Sequence, residues 1–577
     1  MGIGKGCHRD LAARAIPLKG SLALWRQNKP RGFACVSCSY GRPPHLSAFE
    51  FCENGAKATA WEITDKRCPP EFFAEHTVTE LESWSDLQLE EVGRLTEPMR
   101  WDSVSDKYVR VPWPEAFAAI GAELKAFAPK SVIFYASGRA SLEASYMYQL
   151  LARMYGNNNL PDSSNMCHES TSVALPQTIG VPVGTVKIED FDHTDCVMFF
   201  GQNVGVNSPR MLHQLQEVRE RGVPIITFNP LRERGLESFT NPQSPTHFQW
   251  PEIEACSGLS RAAIESAAGA YRNAKSVIAC YGMGLTQHRS GVLAIQMLSN
   301  LLLIRGNIGK PGAGIFPVRG HSNVQGQRTV GITEKPDLVP LDCLAEQYGF
   351  DPPRERGLDT VGTCEAVRDG SVKVFISLGG NFIRAIPETD LMERAWRQLE
   401  MTVQIVTKLN RGAIIHGKKA YLLPCLGRIE IDSEATGVQF VTVEDTTGRF
   451  HASHGQAEPA CKDILSEPKI VAELAKAILA PNPRANWDAW SGNYVLVRDA
   501  IAETYPKIFE NFNERIKNPA GFDRPLPARE RKWCASHLLL WQTRGQDWRP
   551  NTNPMKHFSA RFLSWNSASL MKLCRWL

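Results

Sequence analysis

Short runs of β-branched and aromatic residues alternate with stretches of helical periodicity from beyond the first cysteines to about residue 455. This alternation is typical of stacked α/β units, in which helices cover parallel sheets. The most apolar runs cover residues 131–135, 196–200, 276–280 and 372–376. We therefore predict an α/β fold in which these four runs are parallel strands.

Each of the four runs ends in a turn of small or polar residues. Ligands bind beyond the carboxyl ends of parallel strands, where small residues let phosphate or ribose approach a helix N-terminus. The pattern predicts a large nucleotide-bearing cofactor. No turn matches Gly-x-Gly-x-x-Gly followed by a ribose-binding acid, so a plain nicotinamide site is not favoured.

Residues 306–326 contain six glycines around a single arginine, Arg319. Glycine loses more chain entropy on folding than any other residue, so such a run usually marks a close approach of the backbone to another group. A guanidinium inside it offers a fixed fork of donors. We interpret the segment as one wall of a ligand site.

Cys167 and His168 follow a turn and precede a predicted helix. The positive end of a helix lowers the pKa of a thiol, so Cys167 is predicted as a thiolate that serves as nucleophile or metal ligand. His168 is suited to move a proton beside it.

Cys35, Cys38, Cys52 and Cys68 are separated by two, thirteen and fifteen residues in a region rich in proline, glycine and serine. Clustered thiolates suit a soft metal, and both zinc and an iron–sulfur cluster fit four of them. Three ligands are better supported than the fourth, for which Cys68 and His45 are the candidates.

The chain has 577 residues, a net charge of +4 and 43% hydrophobic residues, which corresponds to roughly three or four domains. The charge is small and spread along the chain, so nucleic acid is not an expected partner. No apolar run reaches the ~18 residues that a membrane span requires. Fifteen cysteines, an odd number, favour reduced thiols in the cytoplasm.

These features together resemble the molybdopterin oxidoreductase family, in its formate-dehydrogenase-like alpha subunit branch. The resemblance rests on the cysteine-rich start, the Cys-His pair, Gly-Met-Gly-Leu-Thr-Gln ending at Gln287, and the glycine-rich segment around Arg319. It implies a multi-domain α/β fold like that of formate dehydrogenase and dimethyl sulfoxide reductase, with Rossmann-like sheets and a small N-terminal iron–sulfur domain.

The resemblance also implies roles for particular residues. Cys167 would ligate molybdenum held by two molybdopterin guanine dinucleotides, His168 would accept a proton, and Arg319 would hold the oxyanion of a small substrate. The cysteines Cys35, Cys38, Cys52 and Cys68 would hold a 4Fe-4S cluster, which passes electrons towards a partner protein. The residues expected to contact the pterin cofactor are Lys57, Gly201, Asn203, Asn207, Asn229, Gly282, Gly284, Gln287, Gly379, Gly380 and Asn381, with Arg232 on a phosphate.

Four departures from the family pattern qualify this expectation. The spacing of the cluster cysteines is unusual, and Glu169 replaces a small residue, so its carboxylate would repel an anion such as formate. A helical insert between Pro245 and Gly258 is missing. The C-terminal double-psi barrel is also expected to be absent, because residues 533–577 hold five tryptophans, six basic residues and one acid without barrel-like alternation.

The expected organisation has six parts. They are a basic tail (1–30), an iron–sulfur-type region (31–110), a discontinuous α/β domain (111–162 and 320–460), a pterin-binding α/β domain (163–319), a helical connecting segment (461–532) and an atypical tail (533–577). The tail is read as a frameshifted or mispredicted end, or as a short docking segment. The alternative to an active enzyme is a cofactor-poor scaffold or binding protein without turnover.

Overall fold

The protein is represented by a computed structural model, which describes residues 17–43, 50–229, 231, 233–241, 244–249, 261–526 and 529. His45, Arg232, the first 16 residues and the tail at 533–577 lie outside these residues, as does most of the segment between Pro245 and Gly258. In the part that is described, no helix is long and apolar enough to cross a membrane.

The strands are β1 (Arg67–Cys68), β2 (Arg94–Leu95), β3 (Met99–Asp102), β4 (Lys107–Arg110), β5 (Val132–Ala136), β6 (Cys196–Phe200), β7 (Ile225–Phe228), β8 (Ser238–Asn241), β9 (Ser244–Gln249), β10 (Val277–Tyr281), β11 (Gly314–Pro317), β12 (Val374–Leu378), β13 (Met401–Val406), β14 (Lys419–Pro424), β15 (Asp432–Glu434), β16 (Gly437–Glu444), β17 (Arg449–His454) and β18 (Phe522–Asp523).

The helices are α1 (Pro17–Arg26), α2 (Glu53–Glu62), α3 (Pro70–Glu75), α4 (Val78–Glu82), α5 (Asp86–Glu91), α6 (Trp113–Ala126), α7 (Leu142–Tyr155), α8 (Ser163–Cys167), α9 (Glu169–Ile179), α10 (Val204–Asn207), α11 (Leu212–Glu220), α12 (Arg234–Glu237), α13 (Arg261–Asn273), α14 (Met283–Thr286), α15 (Gly291–Ile304), α16 (Val324–Thr329), α17 (Leu341–Tyr348), α18 (Thr360–Arg368), α19 (Phe382–Ala385), α20 (Thr389–Trp396), α21 (Arg411–Ile414), α22 (Glu467–Ile478), α23 (Trp487–Gly492), α24 (Tyr494–Thr504), α25 (Pro506–Phe509) and α26 (Phe512–Arg515).

The described residues divide into two compact units. The first takes those within 1–169, 242–245 and 319–525, and the second takes those within 170–241, 246–318 and 526–577.

A six-stranded sheet in the order β4-β3-β14-β13-β12-β5 lies at the centre of the first unit. The strands from β14 to β5 are parallel, whereas β3 and β4 add an antiparallel edge. Every residue of β5, β12 and β13 is buried, which explains why these runs are continuously apolar: both faces of a parallel sheet are covered. The helices α6, α7 and α22 pack together and share one hydrophobic core with this sheet.

The first unit also contains an antiparallel sheet in the order β15-β16-β17-β18. Phe450 of β17 is fully buried among Phe509, Phe512 and Phe522, with ring centroids 4.8 to 6.5 Å apart. These aromatic contacts attach the helices α25 and α26 to the sheet.

The second unit is built on a four-stranded, fully parallel sheet in the order β11-β10-β6-β7. The four predicted strands are therefore confirmed, as two neighbouring pairs: β5 beside β12 in one sheet and β6 beside β10 in the other. The prediction placed β12 two residues too early. Val372 still belongs to the turn that ends α18, because its N–H donates to the Ala366 carbonyl at 3.0 Å.

Candidate functional site

Cys167 ends a one-turn helix, α8, which Asp162 caps. The Asp162 carboxylate accepts the Asn165 N–H at 3.1 Å, and the Asn165 side chain accepts the Asp162 N–H at 3.0 Å. His168 leaves the helical conformation, and α9 begins one residue later. The sequence interpretation placed Cys167 directly before a helix, whereas it lies at the end of one and a residue before the next.

The Cys167 thiol is 7% exposed and lies against the segment that carries Arg319. Burial raises the pKa of this thiol, while an N–H donated by Gly320 and the charge of Arg319 act in the opposite direction. The prediction that a helix N-terminus lowers this pKa is therefore wrong. The groups that favour a thiolate come from the Arg319 segment instead.

The Arg319–Gly320 peptide is held on both of its edges. The Arg319 carbonyl accepts hydrogen bonds from the N–H and the Oγ of Ser39, at 3.3 and 3.0 Å, and the Gly320 N–H donates to Cys167. Arg319 itself is 2% exposed. One peptide group thus joins the loop after Cys38 to the Cys167 sulfur.

A glycine lets the turn after β5 approach the Arg319 segment. A side chain at Gly138 would place its Cβ 2.8 Å from the Cβ of His321, closer than real Cβ contacts come. The Gly138 carbonyl accepts the Asn323 N–H at 2.8 Å, and the Gly138 N–H donates to Ser163 Oγ at 3.0 Å. The Cys167 helix, the β5 turn and the Arg319 segment are therefore joined.

The residues around Cys167 fit a ligand that combines polar atoms with a soft metal. The fully buried Ser164 Oγ and the His321 Nδ1 have no hydrogen-bond partner among the described residues. Buried polar atoms of this kind are costly unless a ligand or water satisfies them. A buried thiol is a soft metal ligand. His168, which is next to Cys167 in the chain, is also fully buried.

Glu169 lies in an ion-pair cluster. Its Oε2 is 2.8 Å from Arg328 Nη2, and its Oε1 contacts Lys335 Nζ. Burial alone would raise the pKa of Glu169, but the charges of Arg328 and Lys335 outweigh burial and lower that pKa to about 2. Two cations therefore neutralise this carboxylate, so the expected repulsion of an anion is not supported. The sequence interpretation missed Arg328 and Lys335, which no local motif marks.

Two of the predicted cluster cysteines lie beside Gly55, a residue in the first turn of α2. Cys52 caps this helix and accepts the Gly55 N–H at 3.5 Å, and a Cβ at Gly55 would be 3.2 Å from Cys35 Sγ. Cys38 is half-buried, three residues further along the same loop as Cys35. These three cysteines have the chemistry of cluster ligands.

Cys68 has a different environment. It is 1% exposed in β1, within a hydrophobic cluster that includes Phe73, Leu81 and Leu95. Burial raises the pKa of its thiol. Across the described ranges, no three side chains among histidine, cysteine, aspartate and glutamate are arranged to hold a metal ion. The environment of Cys68 is that of a core residue, and its role as the fourth ligand stays a prediction.

Lys57, the predicted bridge between cluster and pterin, lies on the exposed part of α2. Its Nζ pairs with Glu53 at 2.8 Å, one turn earlier in the helix, and both side chains are about half exposed. The structure shows a surface ion pair at this position.

The predicted turn residues of the second unit have partners within their own loops. The Gly284 N–H donates to the Gly201 carbonyl at 3.0 Å, and a Cβ on Gly201 would be 2.7 Å from the Gly284 backbone. A Cβ on Gly282 would meet the Gln202 side chain. These glycines are therefore needed for the packing of two strand-end loops.

The predicted polar contacts in this unit are a helix cap, two exposed residues and one buried residue that bonds within its own loop. Asn203 accepts the Val206 N–H at 3.2 Å and caps α10, while Asn207 and Gln287 are exposed at helix ends. Asn229 donates to the Leu231 carbonyl at 2.7 Å and to Glu233 at 2.8 Å.

In the first unit, the turn after β12 contains Gly379 and Gly380 with φ of 72° and 84°, a left-handed conformation that favours glycine. The Gly380 carbonyl accepts Asn410 Nδ2 at 3.1 Å, and Asn381 Oδ1 accepts the Gly412 N–H at 3.2 Å. The turn is thus fixed at the carboxyl end of a parallel strand, the position at which such sheets bind ligands.

Comparisons with known proteins agree with this architecture. The Molybdopterin oxidoreductase family matches residues 94–415. The chain is 43% identical to Protein YdeP of Escherichia coli K12 over 582 residues, which cover 89% of this chain and 76% of that protein. It is 38% identical to the uncharacterized oxidoreductase Rv2900c of Mycobacterium tuberculosis, over 89% of this chain and 74% of that protein.

More distant proteins extend the comparison. The alpha subunit of the F420-dependent formate dehydrogenase 1 of Methanococcus maripaludis is 28% identical over 51% of both chains. Acetylene hydratase from Pelobacter acetylenicus shares the fold, with a TM-score of 0.51 and 15% identity over 74% of this chain and 65% of that one. The chain belongs to the molybdopterin oxidoreductase family, in a formate-dehydrogenase-like branch.

Proposed function

We propose that this chain is a molybdenum-dependent oxidoreductase that oxidises or reduces a small substrate by two electrons at a bis-molybdopterin guanine dinucleotide centre. The observation that carries the proposal is the environment of Cys167: a buried thiol that receives the Gly320 N–H and lies in the field of Arg319. Cys167 would hold the metal through its sulfur as a thiolate. The bound centre would supply a site that takes up or returns two electrons.

The residues around this centre have distinct roles in the proposal. Cys167 is the metal ligand. Arg319 binds the oxyanion of the substrate, because a buried guanidinium offers several donors to a carboxylate. His168, next to Cys167, accepts or returns the proton that accompanies the two electrons. Because Glu169 is paired with Arg328 and Lys335, a small anion such as formate remains a suitable substrate.

The proposal also assigns contacts with the dinucleotides and with an iron–sulfur cluster. The Gly379-Gly380-Asn381 turn in the first unit, and Gly201, Asn203, Asn207, Asn229, Gly282, Gly284 and Gln287 in the second, would contact the dinucleotides. Cys35, Cys38 and Cys52 would hold a 4Fe-4S cluster, which serves an electron-transfer partner protein.

We further propose a reducing compartment such as the cytoplasm. Cys196, Cys280 and Cys425 are buried free thiols, and Cys343, Cys364 and Cys461 are half-buried ones. Free thiols at this frequency are typical of a chain kept reduced.

A cofactor-poor scaffold or binding protein is the second candidate. The core position of Cys68 and the internal packing of Gly201 against Gly284 favour it, because both give a structural reason for residues that the family would use for cofactors.

Metal and nucleotide analysis of the purified full chain separates the two candidates. The enzyme contains molybdenum, guanine nucleotide and about four irons per chain. A protein that remains without molybdenum and nucleotide, when produced in cells that load another member of the family, would sink the enzyme proposal. Iron content near zero with molybdenum present would remove only the cluster.

A further inference from the structure

Three polar side chains form a row beside the Cys167 helix. Asp162, Asn165 and Glu169 are spaced by three and four residues, which places them on one side of a helical path. Asn165 takes part in the cap at Asp162 and also donates its Nδ2 to Glu169 Oε2, at 3.2 Å. The row therefore runs from the residue before α8 to the residue after His168.

One side chain from α16 spans both ends of this row. Arg328 Nε and Nη2 donate to the two oxygens of Asp162 at 3.0 and 2.8 Å, and Nη2 is 2.8 Å from Glu169 Oε2. Arg328 is 12% exposed and Asp162 is fully buried. Gln327 adds a hydrogen bond to Asp162 Oδ2 at 3.0 Å. Only a planar fork of donors can serve two carboxylates in this way.

The position of Arg328 along the chain gives this contact a consequence. Helix α16 begins five residues after Arg319, and the Arg319–Gly320 peptide contacts the Cys167 sulfur. The two segments are thus joined twice, at the sulfur and at the carboxylate row. We propose that Arg328 is a positioning residue, which holds residues 162–169 at both ends and so fixes the Cys167 thiol against Gly320.

Arg328 acts by fixing the two ends of the short helix α8. The helix α8 has a single turn, too short to be stable alone, so its geometry depends on what its ends are attached to. Lys335 also contacts Glu169 and preserves a cation there, but it has no contact with Asp162 among the described hydrogen bonds and ion pairs. Among the described residues, Arg328 therefore links the two ends from outside the segment 162–169.

The test measures how readily Cys167 reacts in the full chain produced without molybdenum. Arg328→Gln, Arg328→Lys and the control Arg354→Gln are alkylated with iodoacetamide, and labelling is followed at each cysteine by mass spectrometry. Arg354 forms an exposed pair with Asp342 at 2.5 Å, so its loss removes an arginine without touching the row. Cys425, which is buried in the same unit as Cys167, reports general unfolding of that unit.

We expect Arg328→Gln to label Cys167 roughly tenfold faster than the wild-type chain, with no change at Cys425, because only the local opening equilibrium shifts. Arg328→Lys should also label faster, since one ammonium cannot replace the two hydrogen bonds to Asp162 and also reach Glu169. Arg354→Gln should match the wild type. Equal acceleration at Cys167 and Cys425, or none at Cys167, would overturn the proposal.

The inference deepens the proposed function, since it concerns the residue that we assign as metal ligand. Its test uses no metal, substrate or turnover. A chain that never binds molybdenum would therefore defeat the enzyme proposal and leave the positioning result intact. Conversely, an unchanged labelling rate at Cys167 in a chain that binds molybdenum would defeat only the positioning proposal.

Discussion

Cys167 and the N-terminal cysteines differ in how the protein surrounds their sulfur atoms. Cys167 is nearly inaccessible and receives a backbone N–H from a segment about 150 residues away in the chain, beside a buried cation. Cys52 caps the first turn of α2, and Cys35 lies in a loop beside it. Both sulfur atoms are next to Gly55. The Cys167 sulfur is fixed by a contact between distant parts of the chain, whereas the sulfur atoms of Cys35 and Cys52 lie beside one glycine at the start of α2.

The largest expected effect is at Cys167. Cys167→Ala should abolish dye-linked oxidoreductase activity, because it removes the proposed metal ligand. The matched control is Cys196→Ala, which removes a buried thiol from β6 in the second unit and should retain activity. Unchanged turnover of the Cys167 variant, measured on protein of equal molybdenum content, would reject Cys167 as the ligand.

The N-terminal group can be divided by substituting its members separately. Cys52→Ala should lose most of the bound iron, because the sulfur atoms of Cys52 and Cys35 both lie beside Gly55. Cys68→Ala should retain its iron but lose about 1–2 kcal/mol of unfolding free energy, the cost of a small cavity in the core. Iron content and chemical denaturation measure both effects. Iron lost only from the Cys68 variant would reverse our assignment.

His451 gives the N-terminal group a pH dependence. Burial and the charge of Arg42 lower the pKa of His451 to about 4, although the hydrogen bond that its ring donates to Asp445 acts in the opposite direction. Its folded pKa lies below the unfolded value near 6.5, so its contribution to stability is present above pH 6.5 and is lost as the pH falls towards 4.

Asp445 also accepts the Arg42 N–H at 3.3 Å. The His451–Asp445 pair therefore supports the loop that carries Cys38. We expect the wild type to lose up to about 3 kcal/mol more than His451→Gln between pH 7 and pH 4. Denaturation curves at several pH values provide the comparison. Parallel pH profiles for the two proteins would contradict the assignment.

The smallest expected effect is at Lys57. Lys57→Ala should change the unfolding free energy by less than about 0.5 kcal/mol, because exposed pairs within a helix contribute little. Glu53→Ala is the matched control for the same pair. If Lys57→Ala instead lowers electron transfer while Glu53→Ala does not, the role expected from the family is restored.

The predictable parts of this protein are those encoded by contiguous residues. The apolar runs at β5, β6, β10 and β12 specify buried parallel strands, since both faces must be covered. Cys167 and Arg319 were recognisable because each lies in a distinctive local motif. Family membership then suggested that they act together.

Other features depend on contacts between distant residues. Arg328 meets Asp162 across 166 positions and follows no motif, so sequence spacing could not reveal it. Cys68 resembles a ligand in spacing but is surrounded by Phe73, Leu81 and Leu95, which only the folded chain brings together. The helix-dipole argument for Cys167 failed because the end of α8, and the desolvation of the thiol, could not be read locally.

The Arg319–Gly320 peptide has a consequence for mutational studies. Its contacts with Cys167 and Ser39 use backbone N–H and C=O groups, which every amino acid except proline supplies in the same way. Alanine scanning therefore leaves the link to the sulfur in place, even where it removes the guanidinium. A peptide plane resists rotation, so a displacement of the Ser39 loop is transmitted to the sulfur as a tilt of one rigid unit. Substituting an ester for this amide would expose the link.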